Sequence, residues 1–267
     1  MKLTLCGTSA GPFTAKRACS GYVLQDDGHA IMLECGPGSV RNALAVGVTL
    51  RDLEAIVISH IHEDHCLDLG ALTLQAMYGR WPQMPVVYGP PGIKDVATRL
   101  MRMHRPGAVV PPIEIVEIDA SDEREVSGFV MRSEETKHAA DLRAFSRRFT
   151  SGSRSLVFSG DTCPNPEVMV PLARDADLLL HEAFSLPGLD RYASGGSDER
   201  YHRIMTHLPT IHSDVREVAR IATDAGAKQL VLTHILPTED DAMMQKEAAG
   251  LYSGDLTLGR DGLSFEI

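Results

Sequence analysis

The chain has 267 residues, 43% apolar and 23% charged, the balance of a soluble globular protein with a substantial core rather than a disordered or fibrous one. No apolar run reaches the length of a membrane-spanning helix, which sets that class aside. The net charge of −10 disfavours a long nucleic acid as partner, because such a polyanion is held mainly by Lys and Arg contacts to its phosphates.

Leu3-Thr4-Leu5-Cys6-Gly7 reads as a first strand rather than a signal peptide, so the expected location is the cytoplasm. Strands over residues 20–24 and 30–34 are joined by a turn at Asp26-Asp27-Gly28. Gly36-Pro37-Gly38 breaks the sheet, and a helix over 40–46 is closed by Gly47. Ala55-Ile56-Val57-Ile58-Ser59 is a short buried strand that runs straight into His60-Ile61-His62-Glu63-Asp64-His65. A helix over 68–77, a strand Val86-Val87-Tyr88 stopped by Gly89-Pro90-Pro91-Gly92, and a helix over 95–103 follow.

The second half repeats this alternation. Strands cover 113–118 and 128–133, and 142–149 and 155–159 form a hairpin about Ser151-Gly152-Ser153. Leu178-Leu179-Leu180 and Leu230-Val231-Leu232 are buried strands. Between them a helix over 214–225 carries Val215, Val218, Ala219 and Ala222 on one face. Residues 188–205 are polar, contain Gly and Ser, and read as an inserted loop or lid. No low-complexity linker or clear short repeat divides the chain, so residues 1–267 are read as one domain.

Five cysteines are present, Cys6, Cys19, Cys35, Cys66 and Cys163. Their odd number and the lack of a C-x-x-C pair argue against a disulfide framework or a cysteine zinc site. They read as reduced filler, with Cys66 and Cys163 next to candidate ligands.

The six residues from His60 to His65 hold three imidazoles and the Asp64 carboxylate in an H-x-H-x-D-H pattern. A strand ending in such a cluster aims several ligands at one point. His138, Asp161, His181 and His234 each follow another predicted strand, and α/β architectures build sites from groups converging at neighbouring strand ends. Imidazole nitrogen and carboxylate oxygen suit Zn²⁺, and also Mn²⁺ or Fe²⁺. Two such ions about 3.5–4 Å apart can share a hydroxide and clamp the oxygens of a displacement. The pattern predicts a binuclear metal hydrolase. An isolated His is more often structural than a ligand, but the spacing sets that reading aside for His60, His62 and His65. Glu63 is expected to be solvated or beside the ligands. His29, His104, His202 and His207 are expected to be structural or exposed, with a substrate role the less favoured alternative for His202 and His207, which flank the segment 188–205.

Over residues 3–236 the chain resembles the metallo-β-lactamase superfamily, and within it the ribonuclease Z-like branch. The resemblance is carried by Leu5-Cys6-Gly7-Thr8, Glu34-Cys35-Gly36, the His60–His65 cluster, His138, Gly160-Asp161-Thr162 and Leu232-Thr233-His234. It implies an α/β fold, the four-layer αββα sandwich. It also implies one metal on His60, His62 and His138, a second on Asp64, His65 and His234, and Asp161 bridging them. His181-Glu182-Ala183 resembles the branch's H-E-A-T motif and His212-Ser213-Asp214 its H-S-T motif, whose residues lie beside the metals and assist proton transfer. Glu182 and His212 are therefore read as an acid pair with His181 beside them. Asp64 counts among the catalytic groups as well as the ligands. The implied cofactors are two divalent ions, zinc first, with manganese or iron also compatible. The expected function is a phosphodiesterase acting on a small anionic phosphodiester through a metal-bridging hydroxide. Alternatives are hydrolysis of a lactone, another cyclic ester or amide, or an aryl sulfate, and a metal-binding scaffold with a retired site. The family often forms homodimers.

The chain also departs from the branch. Only 23 residues separate His138 from Asp161, where long-armed ribonuclease Z inserts the arm that grips the tRNA elbow, so there is no room for that arm. Asp161 and His234 are 73 residues apart, and the polar insert at 188–205 lies between them. Glu34 stands where an Asp is usual, which alters a contact to a metal-ligating His. Asp214 replaces a Thr and suits a helix N-cap. Ile235-Leu236-Pro237-Thr238 follow His234, with no Arg in the place where ribonuclease Z often carries one. Arg143, Arg147, Arg148 and Arg154 cluster in the hairpin; a solvated face is the favoured reading and an anion-binding rim the sharper one. Tyr78, Trp81 and Tyr88 are assigned to core packing ahead of an aromatic pocket.

Overall fold

The computed structural model describes residues 1–103 and 109–267. The first half runs β1 (Lys2–Gly7), β2 (Gly21–Asp26), β3 (His29–Leu33), α1 (Ser39–Ala45), β4 (Ala55–Val57), α2 (Glu63–Cys66), α3 (Leu69–Gly79), β5 (Val86–Gly89), α4 (Ile93–Met101) and β6 (Ile115–Glu117). The second runs β7 (Glu123–Val126), β8 (Phe129–Thr136), β9 (Ala144–Ser151), β10 (Arg154–Phe158), α5 (Pro166–Leu172), β11 (Leu178–Glu182), α6 (Leu186–Ala193), α7 (Asp198–Ile211), α8 (Val215–Ala225), β12 (Gln229–Thr233), α9 (Asp241–Ala249) and β13 (Asp255–Leu258). A last strand, β14 (Ser264–Glu266), returns to pair with β1.

The strands form two sheets, ordered β14-β1-β2-β3-β4-β5-β6 and β13-β12-β11-β10-β9-β8-β7. Both are mixed in the same way. In the first, β1 to β3 are antiparallel and β3 to β6 parallel. In the second, β7 to β10 are antiparallel and β10 to β13 parallel. The halves thus repeat one arrangement without a legible sequence repeat.

Strand alternation sends successive side chains to opposite faces. Leu3, Leu24 and Ile31 from one sheet meet Phe149, Leu156 and Leu180 from the other in a shared central core. Val23, Met32 and Ile56 pack outward with Val40, Leu72 and Ala97 of α1, α3 and α4. Val157, Leu179 and Leu230 pack outward with Met169, Val218 and Met244 of α5, α8 and α9. Burial on both faces explains the unbroken apolar runs at Ala55–Val57 and Leu178-Leu179-Leu180. The result is the expected four-layer αββα sandwich.

The reading of residues 188–205 as a loop is corrected. This segment lies mostly in helices α6 and α7, capped by Ser185, which accepts from the Gly188 N–H, and Ser197, which accepts from the Arg200 N–H. Leu189, Ala193 and Ile204 pack on Ala10, Phe184 and Leu236. Glu239 ties the base down by accepting from the Ser185 N–H at 2.8 Å and hydroxyl at 2.6 Å. The segment is a packed wall, with Pro187, Gly195-Gly196 and Pro209 masking its helices. Strands β7, β13 and β14 and helices α5 and α9 were not anticipated either. Helix α5 holds Pro166 and Pro171, which read as breakers.

Candidate metal centre

The candidate ligands sit at the C-terminal ends of strands of both sheets. After β4, the Ser59 N–H donates to Glu34 Oε1 at 2.8 Å, and the Ser59 hydroxyl lies 2.9 Å from His60 Nδ1, leaving His60 Nε2 facing inward. Helix α2 is a single turn that raises Asp64 and His65 beside His62. It rests on Gly36, where a Cβ would run into the Asp64 carbonyl. Asp161 leaves β10 through Gly160, at φ +58°, where a Cβ would come within 2.8 Å of that of Ser59. His234 adopts φ +53° in the turn after β12. His138 Nδ1 lies 2.8 Å from the Ile211 carbonyl, to which it donates, and so turns its Nε2 to the centre.

Asp161 Oδ2 is the hub. It lies 3.4 Å from His65 Nε2, 3.3 Å from His234 Nε2, 3.7 Å from His60 Nε2 and 3.9 Å from His138 Nε2. His62 Nδ1 is 2.8 Å from His60 Nε2 and 3.2 Å from His138 Nε2. Asp64 Oδ2 is 3.5 Å from His65 Nε2 and 3.3 Å from His234 Nε2, and accepts from the Gly11 N–H at 3.0 Å. One group of donors is therefore His60, His62, His138 and Asp161, and a second is Asp64, His65 and His234. Such convergence of nitrogen and carboxylate lone pairs fits a cation. Among the described residues the buried His65 Nε2 has no hydrogen-bond partner, which is consistent with a ligand role.

The electrostatics suit the same use, since ligands must be deprotonated. Burial pushes His60 well down and takes His138 to about 4. Burial alone would raise Asp161, but His234 and His65 hold it well below the usual carboxylate range. His65 is the exception: burial would lower it, yet Asp161 and Asp64 lift it well above its ordinary value. Glu34 Oε2 stands 3.4 Å from His65 Nδ1, so the longer carboxylate still reaches the ring that an Asp would be expected to orient.

The structure brings Glu182 and His212 together at the rim. His212 Nδ1 is 2.8 Å from Glu182 Oε2, and Glu182 Oε1 accepts from the Thr162 N–H at 2.6 Å. Burial would lower His212, but Glu182 lifts it to about 9. The His212 ring stacks on that of His234, 5.4 Å between centroids. His181 does not join them, which corrects its placement beside the acid pair. Along β11, Leu178 and Leu180 face the central core while Leu179 and Ala183 face the outer one. His181 shares the outer parity. Its Nδ1 lies 2.7 Å from the Glu182 carbonyl, and burial takes its pKa to about 4.

A cleft of about 420 Å³ opens over His62, Asp64, Asp161, His212 and His234. Its far wall is α7, with Arg203 and His207. For His207 a substrate role was the less favoured expectation behind a structural or exposed one, and Arg203 drew no attention. The arginine-rim reading of the hairpin is corrected. Arg143 pairs with Glu135 and Asp119, Arg148 donates to the Leu172 and Arg174 carbonyls, and Arg154 pairs with Asp26. Arg147 is fully buried, and burial pulls it down to about 10. Asp214 caps α8 as expected, accepting from the Arg216 N–H. Glu63 and His202 are exposed, and His29 pairs with Glu54. Trp81 and Tyr88 pack against the cores, Tyr78 is exposed, and His104 lies outside the described residues.

The family described as the beta-lactamase superfamily domain matches residues 29–235, and the chain belongs to the metallo-β-lactamase superfamily. Within it the chain falls in the ribonuclease Z-like branch. It is 28% identical to a ribonuclease Z of Mycobacterium sp. (strain KMS), over 98% of this chain and 94% of that one. It is 26% identical to the probable metallo-hydrolase YhfI of Bacillus subtilis, over 100% of both. The crystal structure of that metallo-beta-lactamase fold protein matches with a TM-score of 0.80 at 23% identity, over 100% of this chain and 99% of that one, a likeness of fold. The chain is a metal-dependent hydrolase. Among the described residues no helix is long and apolar enough to cross a membrane.

Proposed function

We propose that the chain is a binuclear phosphodiesterase acting on a small phosphodiester. His60, His62 and His138 would hold one divalent ion, Asp64, His65 and His234 a second, and Asp161 would bridge them. The donor set favours zinc, with manganese or iron accommodated. Bound there, the ions would supply an activated water nucleophile and neutralise charge on the phosphoryl oxygens.

The observation that carries the reading is the Glu182–His212 pair, 2.8 Å apart, beside these ligands. Glu182 accepts at Nδ1 and keeps the ring protonated, which leaves Nε2 to give a proton to the departing alkoxide. A poor alkoxide leaving group needs such an acid. Asp64 fixes the Gly11 loop at the cleft edge through the Gly11 N–H. The net charge of −10 and the 23-residue interval between His138 and Asp161 favour a small substrate over a long polyanion. The free cysteines suit a reducing cytoplasm.

The test is a hydrolysis panel on the metal-loaded protein: bis(p-nitrophenyl) phosphate, an aryl sulfate, a lactone and a precursor tRNA. The expected outcome is preferential cleavage of the diester. Faster turnover of the lactone, the sulfate or the precursor tRNA would overturn the assignment.

A further inference from the structure

The wall facing the metal ligands is one face of α7. Arg200, Arg203, Ile204, His207 and Leu208 line the cleft, spaced as a single helical stripe. The apolar members anchor the helix, since Ile204 is buried and Leu208 packs against the same cluster. Arg200 is committed elsewhere. Its Nη1 donates at 3.1 Å to the Tyr192 and Ala193 carbonyls, and its guanidinium lies over the Tyr192 ring at 5.1 Å. Arg203 and His207 are exposed toward the cleft. Among the described residues, neither side chain makes a hydrogen bond or an ion pair with the protein. In a chain with ten more acidic than basic charges, an unpaired Arg one turn from an imidazole, opposite a metal site, is a ready anion receptor.

We infer that Arg203 and His207 bind a second phosphoryl group of the substrate, separate from the one that is cleaved. This rests on the phosphodiesterase reading and narrows its substrate class. Helix α7 is fixed at its far end, where the Ile211 carbonyl accepts from His138 and His212 follows. At 1.5 Å per residue, His207 and Arg203 stand roughly 7 and 13 Å back along the axis from His212. Helical side chains also lean toward the N-terminus, further from the metals. Phosphates sharing a bridging oxygen are too close together to use both places. A phosphate on the other side of a sugar fits, so the substrate class is a nucleotide-sized phosphodiester with a second, terminal phosphate.

The experiment compares thymidine 5′-(p-nitrophenyl phosphate) with and without a 3′-phosphate on the metal-loaded protein. The expected result is a KM lower by about tenfold or more for the 3′-phosphorylated ester, the scale of a charge-assisted hydrogen bond. In Arg203→Gln and His207→Gln that advantage shrinks toward unity, mainly through KM. His202→Gln, whose side chain does not line the cleft, retains it. No preference in the unaltered protein, or a preference that both cleft variants keep, overturns the inference. If neither ester is hydrolysed, the phosphodiesterase reading fails and calorimetry decides the subsite. Tighter binding of thymidine 3′,5′-bisphosphate than of thymidine 5′-monophosphate, erased by Arg203→Gln, sustains it, and equal binding in the unaltered protein removes it.

Discussion

His212 carries the most informative single substitution. If it protonates the leaving group, His212→Gln should lower kcat by about 10²- to 10⁴-fold on a diester with an alkyl leaving group and by less than about tenfold with nitrophenolate. Equal losses on the two would remove the acid role. Glu34 acts one step further back, through His65. Glu34→Gln should weaken metal affinity by about 10- to 100-fold, read by competition with a chromophoric chelator, with the circular dichroism unchanged. The six-residue cluster was legible because local spacing alone set its purpose. His181 was misplaced because a two-residue motif on a strand must split across two faces, and the sequence does not say which residue faces the metals. Arg203 was missed, and His207 ranked as structural ahead of a substrate role, because only the docking of α7 turns them toward the cleft.

At the scale of elements, the site depends on short connections with no steric slack. A methyl group at Gly36 meets the backbone of Asp64, which cannot swing aside as a side chain could. Gly36→Ala should therefore cost about 1–3 kcal/mol, lower the melting temperature, and reduce metal content by displacing α2. A variant that melts and binds metal like the unaltered chain would show that α2 tolerates movement. Most strands were visible as apolar runs between turns. Helices α6 and α7 were not, since Pro and Gly punctuate them and their apolar stripe makes sense only against Ala10, Phe184 and Leu236. The matching order of the two sheets left no trace in residue identity, because many apolar choices fill the same layer.

At the scale of the whole molecule, the sheets are also joined by charge. Asp26 of β2 meets the Met1 amino group at 3.2 Å and Arg154 of β10 at 2.8 Å. Burial would raise its pKa, but Ser151, the Met1 amino group and Arg154 hold it below its ordinary 3.8. A depressed carboxylate contributes stability that is present above the unfolded value and lost as pH falls through the folded one. Asp26→Asn should thus cost about 1 kcal/mol at neutral pH and flatten the loss of stability below about pH 4, seen in urea unfolding at a series of pH values. An unchanged acid limb would mean the clamp contributes nothing. The proposed binuclear centre, its candidate ligands drawn from the strand ends of both sheets, is tested most directly by titrating zinc into metal-free protein while following bis(p-nitrophenyl) phosphate hydrolysis. Two ions on the seven ligands predict activity that rises to a plateau at two equivalents per chain. A plateau at one equivalent, or no hydrolysis at two, would contradict it.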